Sequence, residues 1–378
     1  MGLFSSKQSY LGIDFDSNSV KVVEFKNEGG RPRLITYGYL DKIVDKNTDD
    51  KKKGSAVEIG KLIKQVCKKA KTTTTKVVTA LPAFSVFSSI LNLPSMPKKD
   101  LESAVKWEAK KVIPMPVDDM ILDWKILEDT PHVTADSRPE PLKGNDSNGE
   151  LKEKGFSKIS QKNKDRHTKI LLTAAPKDLV KRYITIFKSA GLSLLSLDTE
   201  SFALIRSLVG SDKSSLMIVD IGSIVTNISI VTNSVPILNR SIDVGGLTIT
   251  KAIANSLNVN LERAEQFKYD IGMSPDRVGQ GSVPKTIETT LTPIIDELRY
   301  SLNLYRNRGG QDIEKIILTG GSSMLLNLPQ YLSNLLSLRV FLGDPWARVI
   351  YPEELKPVLD EIGPRYSVAI GLAMRDIE

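Results

Sequence analysis

The chain has 378 residues, with 52 Lys or Arg against 45 Asp or Glu, a net charge of +7, one cysteine and two histidines. That length accommodates two ordinary domains, and a lone Cys67 forms no internal disulfide, which fits a reducing, cytosolic compartment. No run nears the roughly 18 apolar residues of a membrane span, residues 1–9 are too polar for a signal peptide, and the basic excess reads as a solvated face or one turned toward anionic lipid, with no nucleic-acid module.

Residues 10–25 form two apolar, β-branched runs around a short polar turn, the pattern of strand, tight turn and strand. Asp14 ends the first run, and Ser17, Asn18 and Ser19 fill the turn. Lys21 alternates with Val20 and Val22, so its side chain faces away from theirs. Small turn residues let backbone N–H groups cradle an anion. A lysine is a point charge suited to phosphate, and a strand-end carboxylate suits hydrated Mg²⁺. A plain hairpin with a polar turn has the same pattern, so this stretch alone decides little.

A strand at 33–40, a charged loop at 41–54, an amphipathic helix at 57–70 and a buried strand at 74–81 follow. Next come a strand at 85–93 and a helix at 99–112, with Leu101, Ala104, Val105 and Val112 on its apolar side and Trp107 beside it. Pro114 and Pro116 stop that helix. A strand at 120–128 leads into 131–167, a polar stretch that reads as a flexible insertion. After it come a partner strand at 169–175, a helix at 177–190 ended by Gly191, a strand at 192–198 and a helix at 200–208. The polar residues 210–215 read as a hinge between lobes.

Residues 216–231 repeat the opening design: buried strand, Asp220, a turn with Gly222 and Ser223, second strand. A strand at 235–243, helices at 247–257 and 261–269, a loop at 272–285 and a long helix at 287–305 with an interior Pro293 follow. A buried strand at 313–318 runs into Gly320-Gly321-Ser322, then a helix at 325–335, a strand at 339–342 and a closing helix at 366–376. His132 and His167 flank the insertion and suggest no triad or zinc cluster, and no Gly-x₄-Gly-Lys-Ser/Thr pattern occurs.

Two Asp-bearing hairpins and then strand, Gly-Gly turn and helix, in that order, resemble the actin-like ATPases, in which the hairpins hold nucleotide phosphates across a cleft. More specifically, the chain resembles the PilM family of type IV pilus assembly, related in fold to FtsA. The resemblance is carried by Gly12-Ile13-Asp14 through Glu24, Trp107-Glu108-Ala109 with Ile113-Pro114-Met115-Pro116, Asp198-Thr199-Glu200-Ser201, Val219-Asp220-Ile221-Gly222, Leu318-Thr319-Gly320-Gly321 and Ala369-Ile370-Gly371.

The resemblance implies an α/β, two-lobed actin-like ATPase (ribonuclease H-like) fold. Lobe one would be 1–210, with a core of 1–81 and 176–210, an inserted peptide-binding α/β subdomain at 82–175 and a flexible loop at 131–168. Lobe two would be 211–365, and helix 366–378 would return to lobe one. It implies ATP with Mg²⁺ held through waters by Asp14 and Asp220. Ser17, Asn18, Ser19, Lys21, Gly222 and Ser223 would take the phosphates. Glu262, Glu265 and Lys268 would lie beside adenosine, with Gly320, Gly321 and Ser322 under it. Glu200 and Asn227 would place the attacking water, with slow hydrolysis or none. Asp16 departs from the family's Asp-x-Gly; a carboxylate there repels phosphate, and the missing glycine restricts the turn.

The implied partners are the N-terminal cytoplasmic tail of PilN, the pilus motor ATPases and the platform protein. The protein would then be cytoplasmic, at the inner face of the membrane through its partners, and would not engage nucleic acid. A small-molecule kinase of the same fold is one alternative, but it would bring a substrate-binding insertion and a catalytic Asp that are not recognisable here. An FtsA-like filament-forming division protein is another. That protein anchors through an amphipathic tail, whereas this sequence ends on Arg375-Asp376-Ile377-Glu378, right after the closing helix.

Overall fold

In the computed structural model the described residues are 9–16, 19–41, 55–131, 166–274 and 283–377. Ser17, Asn18, His132, most of the charged loop and nearly all of the polar insertion therefore lie outside the described residues. Two compact units are present: Met1–Ser85 with Asp178–Glu378, and Val86–Lys177.

The first unit contains two sheets of the same design. One has the order β3-β2-β1-β4-β8, built from β1 (Ser9–Phe15), β2 (Ser19–Glu28), β3 (Arg31–Asp41), β4 (Lys76–Leu81) and β8 (Ser193–Thr199). The other has the order β11-β10-β9-β12-β13, built from β9 (Leu216–Ile221), β10 (Thr226–Thr232), β11 (Val235–Ile242), β12 (Lys315–Thr319) and β13 (Arg339–Leu342). In each, the first three strands are an antiparallel meander and the last two add in parallel on the other side of the leading strand.

These strands read as continuous apolar runs because both faces are covered. In lobe one, Val22 turns toward α1 (Ala56–Ala70), while Val23 and Phe25 turn toward α9 (Lys356–Ala373). In lobe two, Met217, Val219 and Ile221 face α5 (Gly246–Leu257) and α7 (Val283–Asn307), while Leu216 and Ile218 face the other way. The alternation follows from the two-residue period of a strand.

The second face of each sheet closes on a shared layer. Val78 and Ala80 from β4, Leu216 and Ile218 from β9 and Ile317 from β12 pack with Ala203 and Leu204 of α4 (Glu200–Leu204) and with Val368 and Leu372 of α9. Close approach here needs glycine. A Cβ on Gly12 would collide with the Ala369 carbonyl and lie 2.6 Å from Ala373 N, and one on Gly371 would collide with the Ala203 carbonyl.

Two helices differ from the sequence-based expectation. The closing helix starts at Lys356, ten residues earlier than the pattern suggested, and runs through Pro364. The helical bond lost at a proline is accompanied by new ones, since the Pro364 carbonyl accepts from Gly320 N at 3.0 Å and from Thr319 Oγ1 at 3.1 Å. The predicted 200–208 helix is α4 followed by one π-helical turn, Ile205–Val209.

The second unit is a three-stranded antiparallel sheet of order β5-β7-β6, from β5 (Phe87–Pro94), β6 (Met120–Pro131) and β7 (Arg166–Pro176). One face is covered by α2 (Lys98–Val112), whose Leu101, Val105 and Ala109 pack on Leu91, Leu93, Ile170, Leu172 and Ala174. Trp107 does not join that seam: it is 63% exposed, with Lys111 Nζ 3.4 Å above its ring. Helix α3 (Lys177–Ala190) then leads back, ending at Gly191 with φ +75°, a value suited to glycine.

Candidate functional site

The site starts from register. Asp14 on β1 stands opposite Lys21 on β2, and the two form an ion pair at 2.9 Å. Lys21 is nearly buried, which alone would drive its proton off. The carboxylates of Asp14, Asp16 and Asp220 outweigh that and hold its pKa well above the usual lysine value. The turn between the strands is closed by Asp16. Its N–H donates to the Ser19 carbonyl at 3.0 Å, and its carboxylate accepts from Ser19 N at 2.7 Å and Ser19 Oγ at 3.0 Å. The donors of Ser19 expected on phosphate thus carry an internal carboxylate.

On the second hairpin, Asp220 of β9 stands opposite Asn227 of β10. Gly222 N donates to the Val225 carbonyl at 3.0 Å, which closes the turn through backbone. The first N–H groups of α5 bind this turn, Gly246 N to the Gly222 carbonyl at 2.9 Å and Leu247 N to the Ser223 carbonyl at 2.8 Å. Burial and the Asp14 carboxylate push Asp220 up to about 7, with Lys21 opposing and Asp16 adding. Asp14, Lys21 and Asp220 act on one another electrostatically, so the ends of the two hairpins approach each other.

Glu200, at the start of α4, feels the same charges. Its Oε2 accepts from Ala83 N at 2.9 Å and from Asn227 Nδ2 at 3.0 Å. Burial and then Asp14 raise it to about 8. A carboxyl group that keeps its proton at neutral pH is a poor acceptor for a water's proton.

The Gly-Gly turn adjoins the second hairpin. Gly320 has φ +84°, and a Cβ there would collide with Asp220 Oδ1 and lie 2.5 Å from the Ile221 carbonyl oxygen. Tyr269, on α6 (Leu261–Ile271), donates its hydroxyl to the Gly321 carbonyl at 3.2 Å. Ser322 Oγ lies against Gly246. Lys268 on α6 is buried; its Nζ donates to Glu265 Oε1 at 2.7 Å and to Thr250 Oγ1 at 3.0 Å. Burial, only partly offset by Glu265, lowers its pKa. Lys268, expected beside adenosine, is thus an internal brace between α5 and α6. Glu265 is the partly exposed member of that pair, and Glu262 stays at the exposed first turn.

The structure therefore links Asp14, Lys21 and Asp220 through their charges, joins Glu200 to Asn227 by a hydrogen bond and sets Gly320 against Asp220. One further residue was not foreseen. Arg365 on α9 would lie 3.2 Å from a Cβ on Gly321 and is 3.5 Å from Asp41 of β3. It falls one residue before the closing helix expected at 366–376, and no local pattern marks it.

For a metal, Asp14 and Asp220 are two carboxylates rather than a cage. Among the described residues no group of three or more His, Cys, Asp or Glu is placed to hold an ion. Two carboxylates facing one space suit Mg²⁺, which keeps several waters and shares its shell with phosphates. Burial and then the neighbouring Asp14 disfavour the charged form of Asp220, and a bound cation would favour it.

Sheet topology and duplicated hairpins together define an actin-like ATPase fold. A family model described as "Type IV pilus assembly protein PilM" matches residues 12–138 and 155–377. The chain belongs to that family, and so to type IV pilus assembly. It is similar to the solved PilM-PilN type IV pilus biogenesis complex, with a TM-score of 0.75 and 25% identity over 98% of this chain and 99% of that one. A likeness in fold alone links it to the ethanolamine utilization protein EutJ from Carboxydothermus hydrogenoformans, with a TM-score of 0.51 and 14% identity over 97% of this chain and 89% of that one. The cell division protein FtsA of Rhizobium meliloti (strain 1021) is 27% identical over 178 residues, 41% of this chain and 38% of that protein. The match thus spans well under half the length of that relative.

Proposed function

We propose that this chain is a nucleotide-binding adaptor of the pilus inner-membrane assembly complex. It binds Mg-ATP between its lobes and captures the N-terminal cytoplasmic tail of a PilN protein. The observation that carries this reading is Lys21 paired with Asp14 at 2.9 Å and Asp16 at 3.9 Å on the first hairpin, close enough to Asp220 of the second for their charges to act on each other. In it, Lys21 meets the β-phosphate, Asp14 and Asp220 hold Mg²⁺ through waters, and Gly222 and Ser223 border the phosphates. Glu265, Gly320, Gly321, Ser322 and Arg365 border the nucleoside. When bound, Mg²⁺ supplies charge neutralisation between the carboxylates and the phosphates.

In this reading Glu200 and Asn227 would orient the attacking water, and a protonated Glu200 supports slow hydrolysis at most. PilN as partner is supported by the likeness to the PilM-PilN complex. Contact with the pilus motor ATPases and the platform protein extends the same role. No described helix is long and apolar enough to cross a membrane; in this reading the protein sits at the inner face of the cytoplasmic membrane through its partners.

The test is calorimetry of the full chain with Mg-ATP. Wild type binds, and Lys21→Ala loses at least about tenfold in affinity, as expected for removing a charge-assisted contact. Equal affinity of the two, or no binding by either, overturns the reading.

A further inference from the structure

Glu200 Oε2 is shared by two donors that belong to different parts of the molecule. Asn227 is on β10 of lobe two, in register with Asp220. Ala83 opens the short 3₁₀ turn Ala83–Ser85, and Ser85 is the last residue of the first unit before the chain continues into the second at Val86. The turn leans on β11. Asn227 is itself fixed from β11, since its Oδ1 accepts from Ser241 Oγ at 2.7 Å. One residue along, Ser201 Oγ lies 3.1 Å from Ser229 Oγ of β10 and donates to Asn239 Oδ1 of β11 at 2.9 Å. Two successive residues at the start of α4 therefore bolt lobe one's helix to lobe two's strands.

We infer that Glu200 is a positioning residue that transmits movement of the Asp220 hairpin to the backbone at Ala83, where the chain leaves for the second unit. The inference rests on the nucleotide-binding reading above and deepens it. In this inference, a nucleotide and its cation drawn between Asp14 and Asp220 would change the spacing of the two hairpins. Asn227 moves with Asp220, because the two are paired across β9 and β10. A hydrogen bond weakens steeply once its donor and acceptor separate beyond about 3.5 Å. One oxygen therefore cannot keep both donors if Asn227 shifts by about an ångström relative to Ala83. Either Glu200 follows Asn227 and releases Ala83, or it stays and releases Asn227. Each outcome is a discrete rearrangement, the kind of element through which two sites can be coupled.

The alternative role, orienting water for attack, calls for different behaviour on substitution. Glu200→Gln keeps an acceptor oxygen in place and removes the group's ability to titrate. Glu200→Ala removes the acceptor. Asn227→Ala cuts the same link from the other side.

The experiment is hydrogen–deuterium exchange of the full chain with and without Mg²⁺ and a non-hydrolysable ATP analogue. In wild type and Glu200→Gln, exchange should slow over β1 and β2 and change over Ala83–Ser85 and β5. In Glu200→Ala and Asn227→Ala the slowing over β1 and β2 should persist, while the nucleotide-dependent change over Ala83–Ser85 and β5 falls at least about fivefold. The comparison is of nucleotide-induced differences, so a loosened variant is still informative. The inference is overturned if Glu200→Ala keeps the response at Ala83–Ser85, if Glu200→Gln loses it, or if wild type responds at β1 and β2 alone. Absence of any response at β1 and β2 in wild type instead removes the nucleotide-binding reading, and this inference with it.

Discussion

The two hairpins of the first unit share strand order and register, yet they differ in what stands opposite the aspartate. Asp14 faces Lys21, and Asp220 faces Asn227. An amide cannot neutralise a carboxylate, so Asp220 is left with burial and with the repulsion of Asp14, and its pKa rises to about 7. The turns differ as well. The first is closed by the carboxylate of Asp16 on Ser19, the second by backbone and by the first N–H groups of α5. A duplicated topology thus carries unequal electrostatics. The single lysine serves both aspartates, which is the condition for a site that gains from a cation and an anion entering together.

Removing Lys21 breaks this asymmetry most severely. Lys21→Ala leaves Asp14 and Asp16 without their cation and should cost about 3 kcal/mol, as for a buried pair losing one partner. Urea denaturation of the nucleotide-free protein reads this directly; a loss below about 0.5 kcal/mol, typical of an exposed pair, would mean that the pair is not desolvated.

The second prediction sharpens the comparison through pH. The ordinary values for Asp and Glu are 3.8 and 4.5, whereas folded Asp220 and Glu200 hold their protons to about 7 and about 8. Between these limits the folded chain binds more protons than the unfolded one, so stability falls as pH rises. The contribution of these two groups is fully present below about pH 4 and is lost as the pH climbs to about 8. Without Mg²⁺ and nucleotide, the melting temperature should therefore fall by several degrees between mildly acidic and mildly alkaline buffer. Asp220→Asn should flatten that slope, and an unchanged slope in this variant would show that Asp220 does not titrate in the window.

The smallest effect is expected at Asp16. Asp16→Gly takes a negative charge from beside the phosphate position and releases Ser19 N and Oγ. It should strengthen Mg-ATP binding several-fold, on the order of 1 kcal/mol, while costing about as much in stability through the lost turn bonds. Weaker binding of Mg-ATP by Asp16→Gly would instead assign Asp16 to the shell around the metal.

Much of the fold was legible because its signals are local. The hairpins announce themselves through apolar runs broken by small polar residues, and α1 through the helical spacing of Leu62, Ile63 and Val66. Gly191 marks a helix end because its φ of +75° is a backbone requirement. Less legible were elements whose local pattern is overridden by distant partners. The closing helix was expected from residue 366, but α9 starts at Lys356 and contains Pro364, whose carbonyl is taken by Gly320 and Thr319 from another part of the chain. Trp107 reads as lying beside the apolar side of its helix, and only the structure shows its ring exposed under Lys111. The resemblance put Lys268 beside adenosine, and only the structure shows its ammonium group bonded to Thr250 and Glu265.

What the amino-acid sequence determined by itself, then, is the set of strands, helices and turns, and the repetition of one hairpin design in two lobes; periodicity, glycine and proline act over a few residues and need no tertiary context. What only the tertiary structure decided is charge and company: which carboxylate each of Lys21 and Lys268 pairs with, and that Glu200 joins Ala83 to Asn227 across 117 and 27 residues of chain. Coulombic and desolvation energies depend on distance and burial in three dimensions, and neither is encoded in the spacing of letters along the chain.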